Sequence, residues 1–109
     1  MNKEYLRKKM KNKKICPTRH FLEKSHIRGI EPDYVKELLI SLENLVAIKV
    51  QEEKEDETKL ELIFEKSRKY DLRVIISVKE NKKVINIVTA HIQSKKKRKR
   101  LEKWLRKLR

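Results

Sequence analysis

His20, Lys24 and Arg28 recur every four residues, so a helix carrying them would present an imidazole, an ammonium and a guanidinium along one side. Such a row can bind phosphate, or it can hold His20 as a base whose protonated form the two flanking cations disfavour. The same spacing also fits an amphipathic helix whose polar edge carries the three residues. A second set stands on strands. Period-two alternation puts Leu60, Leu62 and Phe64, with Leu72, Val74, Ile76 and Val78, on one side of a sheet. It puts Glu61, Glu65, Arg73 and Ser77 on the other, and hairpin pairing would set Thr89 and His91 beside them. A carboxylate, a cation, a hydroxyl and an imidazole suffice to cleave RNA without a metal. One group removes the 2′-hydroxyl proton, another protonates the leaving 5′-oxygen, and the cation holds the phosphate. A solvated sheet carries charges on its outer face too, and Ile75, Ile85 and Ile87, expected on that same face, would need a cover.

The elements that must position these groups follow from local chemistry. Residues 2–14 are polar and Lys-rich, with Tyr5, Leu6 and Met10 as their only apolar edge, and read as a frayed helix or a disordered arm. Pro17 and Thr18 open a helix, Thr18 as cap, that ends at Gly29, the sole glycine in the chain. Pro32 and Asp33 start a second helix, in which Val35, Leu38, Leu39 and Leu42 keep helical spacing. Strands follow at residues 45–50, 58–65, 71–79 and 83–93, with an acidic hairpin tip at 52–57 and a turn at Asn81-Lys82. Leu101, Trp104, Leu105 and Leu108 then form a stripe on a basic C-terminal helix. The expected architecture is α+β: N-terminal helices packed on a four-stranded antiparallel β-meander, with a basic arm at 1–15, a body at 16–94 and a basic helix at 95–109.

The net charge of +15 lies almost wholly in the two ends. Residues 1–15 hold seven Lys or Arg against one Glu, and residues 95–109 hold ten against one, which leaves the body neutral. Nucleic acid is the first partner such ends imply, through Lys95, Lys96, Lys97, Arg98, Lys99 and Arg100. An anionic membrane surface or a groove on a partner protein would also suit the amphipathic C-terminal helix. Cys16 stands alone, which excludes an internal disulfide framework, and no targeting motif or membrane-length apolar run appears, so the cytoplasm is the expected location. His20, His26, His91 and Cys16 have no metal-ligand spacing, and one glycine cannot build a glycine-rich phosphate loop. No cofactor is implied.

The pattern His-x-x-x-Lys-x-x-x-Arg-Gly-Ile at residues 20–30, followed by Glu31-Pro32-Asp33-Tyr34-Val35 at the next helix, resembles a small family of RelE-like proteins. Residues 72–78 and 84–91 look like that family's paired late strands, and the resemblance runs from Thr18 to about Ile92. It implies an α-then-β fold within the RelE and barnase-like ribonuclease toxins, RNA as substrate, no metal, and an antitoxin protein or the ribosome as partner. His20, Lys24 and Arg28 match the helix motif, Lys24 replacing the commoner Arg, and Arg73 matches a basic residue opening the third strand. The long basic ends depart from the pattern, and the catalytic C-terminal tyrosine of RelE has no counterpart. With the polar face, these features select His20, His91 and Arg73 as catalytic residues and Lys24, Arg28 and residues 95–100 as phosphate contacts. Two other functions remain open: a non-catalytic nucleic-acid-binding protein, and an interaction module docking through its C-terminal helix.

Overall fold

Asn2 begins the first helix, its side chain accepting from Tyr5 N at 3.0 Å. Helix α1 (Lys3–Met10) has Glu4 in its first turn and Arg7, Lys8 and Lys9 in its last, each charge complementing the helix dipole. The computed structural model describes residues 2–96, so all of the expected C-terminal helix beyond Lys95 and Lys96, Trp104 included, lies outside the described residues. Strand β1 (Lys14–Pro17) follows α1, and then come helices α2 (Arg19–Arg28) and α3 (Pro32–Ser41). Four further strands close the series: β2 (Leu45–Glu53), β3 (Glu57–Glu65), β4 (Tyr70–Lys79) and β5 (Val84–Ser94). Among the described residues, no helix is long and apolar enough to cross a membrane.

The α+β class holds, but among the described residues the sheet has five strands, in the order β1-β5-β4-β3-β2. The antiparallel four-stranded meander runs from β2 to β5, and β1 adds to it in parallel, Ile15 opposite Ile85 and Cys16 opposite Asn86. The first residues are therefore not an arm. Leu6 of α1 is fully buried, and Tyr5, Met10 and Ile15 pack against the core. Lys13 donates from Nζ to Lys79 O and Lys82 O at 2.7 and 2.6 Å, while Lys9 pairs with Glu80 at 2.5 Å. The basic residues of this segment thus clamp α1 and its following turn onto the β4–β5 hairpin.

The core lies between the helices and one face of the sheet. Phe21 from α2 clusters with Val35, Leu38 and Leu39 from α3 and with Leu42, which caps that helix, above Leu60, Leu62 and Phe64 of β3 and the even-numbered residues 72–78 of β4. Each such side chain contributes about 1.5–3 kcal/mol when removed from water. Ile85 and Ile87 belong to this buried face, opposite Val78 and Ile76, which corrects their expected place on the outer face. A bulge explains the change: Ile75 pairs with Thr89 but Ile76 pairs with Ile87, so Val88 is an extra residue. One inserted residue inverts the alternation. Ile85 and Ile87 point inward, and Thr89 and His91 still point outward.

Candidate functional site

The outward set on the three central strands converges on Arg73. Its residue lies directly opposite His91 on β5, and Glu61 on β3 stands diagonally across from it, two residues along from Ile63, the direct partner of Arg73. Cross-strand and diagonal neighbours on one face are within reach of long side chains. Arg73 Nε donates to Glu61 Oε1, and its Nη1 lies 3.1 Å from His91 Nε2. Both members of the ion pair are mostly buried, with 22% of the Arg73 side chain and 13% of the Glu61 side chain exposed.

A guanidinium can only donate hydrogen bonds. His91 Nε2 must therefore accept from Arg73, which assigns the neutral imidazole with its proton on Nδ1. Glu61 serves as the ionised acceptor. Arg73 uses two of its five N–H groups in these contacts, leaving three for an anion arriving from solvent. A carboxylate and an imidazole on either side of one guanidinium have the chemistry to exchange protons beside a bound anion.

Arg28 joins this group from the edge. Thr18 ends β1 by donating from its hydroxyl to Ile87 O at 2.8 Å while accepting from Phe21 N at 3.1 Å, and that corner starts α2 beside β5. Beyond Ile87, no strand among the described residues pairs with the outer side of β5, and α2 packs against it. Gly29 caps the helix at φ 67°, a left-handed conformation that favours glycine. From the last turn, Arg28 Nη1 reaches Thr89 Oγ1 at 3.1 Å and Ala90 O at 2.9 Å. The guanidinium satisfies an edge carbonyl and places a cation one strand step from His91, since Thr89 and His91 share a face.

His20 and Lys24 lie on the row that ends in Arg28, both exposed on α2. Arg73 bonds both Glu61 and His91, Arg28 stands at the neighbouring edge on Thr89 and Ala90, and His20 and Lys24 lie on the exposed flank of α2. Ser77 is buried, and its hydroxyl has no hydrogen-bond partner among the described residues. Lys95 pairs with Glu65 at 3.3 Å, Lys96 is exposed, and residues 97–100 lie outside the described residues. Glu61 is the residue a catalytic set of His20, His91 and Arg73 omits. Its signal was alternation on β3, which places it on the face of Arg73. Among the described residues, no three His, Cys, Asp or Glu gather as they would around a metal ion.

No protein family, curated protein or solved structure matches the chain.

Proposed function

We propose that the protein binds RNA and cleaves it without a metal, using the cluster centred on Arg73. The observation that carries this reading is the convergence of Glu61, Arg73 and His91 from three strands on one guanidinium. An RNA phosphate takes the remaining Arg73 donors, with Arg28, Lys24 and His20 along α2 receiving neighbouring phosphates. The Glu61 carboxylate accepts the 2′-hydroxyl proton as that oxygen attacks phosphorus. Arg73 holds the charge that grows on the phosphoryl oxygens. As the phosphate draws Arg73 away, His91 Nε2 takes up a proton from solvent and delivers it to the departing 5′-oxygen, while the proton gained by Glu61 returns to solvent, so the two groups end one cycle as they began. The products are a 2′,3′-cyclic phosphate and a free 5′-hydroxyl. Proton transfer by each positioned group is worth about 10²–10⁴-fold in rate.

The net charge of +15 supports a polyanionic partner, and the RelE-like helix pattern supports RNA, free or on ribosomes, as that partner. The Glu61–Arg73 ion pair favours a second reading. A guanidinium already neutralised by a carboxylate suits a rigid platform that binds nucleic acid without cutting it. Incubating the full chain with RNA in chelator, with and without ribosomes, separates the two. The enzyme reading expects cleavage that His91→Gln reduces at least ~10²-fold while binding persists. Binding that falls steeply with salt and yields no product supports the platform.

A further inference from the structure

We propose that the end of the sheet built by the β3–β4 turn and the last residues of β5 is a nucleotide subsite. A base of single-stranded RNA stacks there on Tyr70, and its phosphates lie on Arg68, Lys69 and Lys96. The inference rests on the RNA-binding reading and adds a contact remote from the Arg73 cluster. Tyr70 opens β4 opposite Ser94 and is 49% exposed. By alternation it shares the helix-facing side with Leu72, but it lies past the cover of the helices. It sits about 10 Å along the strand from Arg73, on the opposite pleat. A strand reaching both sites passes over the end of the sheet.

The chemistry around the ring is that of single-strand recognition: an aromatic face that any base can stack on, ringed by cations that track the backbone. Arg68, Lys69 and Lys96 are exposed, and among the described residues no carboxylate pairs with them. Lys95 is held back by Glu65. The subsite is also built before any ligand arrives. Lys66 N and Ser67 N both donate to Tyr70 O, at 3.1 and 3.0 Å, and Tyr70 N donates to Ser67 Oγ at 3.2 Å. Lys95 N donates to Lys69 O at 2.9 Å, tying the turn to the end of β5. A rigid ring on a closed turn loses little freedom when a base stacks on it.

The test measures binding of the full chain to a fluorescein-labelled 2′-O-methyl oligouridylate, which cannot be cleaved, and to an abasic strand of equal length. Tyr70→Ala should weaken binding of the base-bearing strand by about 5- to 150-fold, leave the abasic strand unaffected, and be rescued by Tyr70→Phe. Arg68→Gln with Lys69→Gln should weaken both strands and lower the log–log salt slope by about 1.4. If the wild-type chain binds the oligouridylate and Tyr70→Ala binds it equally well, the subsite is refuted while RNA binding stands. If the wild-type chain binds neither strand, the subsite and the RNA reading fall together. Displacement of the strand by polyglutamate at equal charge would overturn the subsite in favour of an acidic protein segment.

Discussion

Replacing Arg73 by Met removes the cation that holds the outer face together, and its cost can be worked from the geometry. Glu61 would keep its charge with 13% of its side chain exposed and its main partner gone. Breaking a fully buried pair costs about 3–5 kcal/mol. Residual exposure and the cross-strand neighbour Lys49, directly opposite Glu61, soften that to about 2–4 kcal/mol. Glu61→Gln is milder, about 1–3 kcal/mol, because Arg73 keeps its contact with His91. The double variant removes both charges at once, so it should be more stable than the sum of the singles predicts, with a coupling energy of about 1.5 kcal/mol or more. Urea unfolding of the four proteins at neutral pH, followed by circular dichroism, gives the cycle. With slopes of about 1–3 kcal/mol per molar urea, Arg73→Met should lower the midpoint by about 1–2 M. The coupling should survive high salt, since a mostly buried pair is poorly screened. Additivity within about 0.5 kcal/mol would show that Glu61 and Arg73 do not act as a unit, and the proposed site would lose its anchor.

Leu6→Ala should destabilise the protein by about 2–5 kcal/mol in the same assay, because Leu6 is fully buried; a change near zero would return the first helix to the status of a tail. Gly29→Ala places a side chain at φ 67° with no atom within 4 Å of the new Cβ, so backbone strain alone should cost about 1 kcal/mol in a thermal melt. The hydrogen bond from Lys9 holds the Glu80 carboxyl below its ordinary value and raises the Lys9 ammonium above 10.5. The stability this pair adds is therefore present at neutral pH, is lost as pH falls through the lowered Glu80 value, and is lost again above 10.5 as Lys9 deprotonates. With Glu80 about half exposed it amounts to under about 1 kcal/mol, and Glu80→Gln should remove it at pH 7 and change nothing in strong acid.

Features governed by neighbouring residues were legible in the sequence. Thr18 as a cap, Gly29 at a helix end and Pro32 in a first turn each follow from one residue's own geometry, and the alternation of β3 and β4 sorted their two faces. That Arg73 and His91 share the polar face was legible from alternation, but their direct pairing was not: the turn register alone would set Arg73 opposite Ala90, and the bulge at Val88 moves His91 into that place. Long-range features were not. Strand β1 is four residues that open on a lysine and close on a proline, and it pairs in parallel with a strand some seventy residues later, which no hairpin rule anticipates. Helix α1 looked like an arm because its apolar edge is so small, yet one leucine is enough to root it when Lys9 and Lys13 grip the hairpin beyond. The bulge at Val88 inverted the face of Ile85 and Ile87 without leaving a glycine or proline to announce it. Arg28 was legible as a cation but not as the group that caps the Ala90 carbonyl, because that role depends on β1 stopping short.

The most direct test is the chemistry of the RNA ends left by the full chain in chelator, read against His91→Gln and against RNA methylated at every 2′-oxygen. The account predicts fragments ending in 2′,3′-cyclic phosphate from unmodified RNA, a loss of at least ~10²-fold in rate with His91→Gln, and intact methylated RNA. Cleavage that persists in His91→Gln, or RNA left whole while still bound, would contradict it.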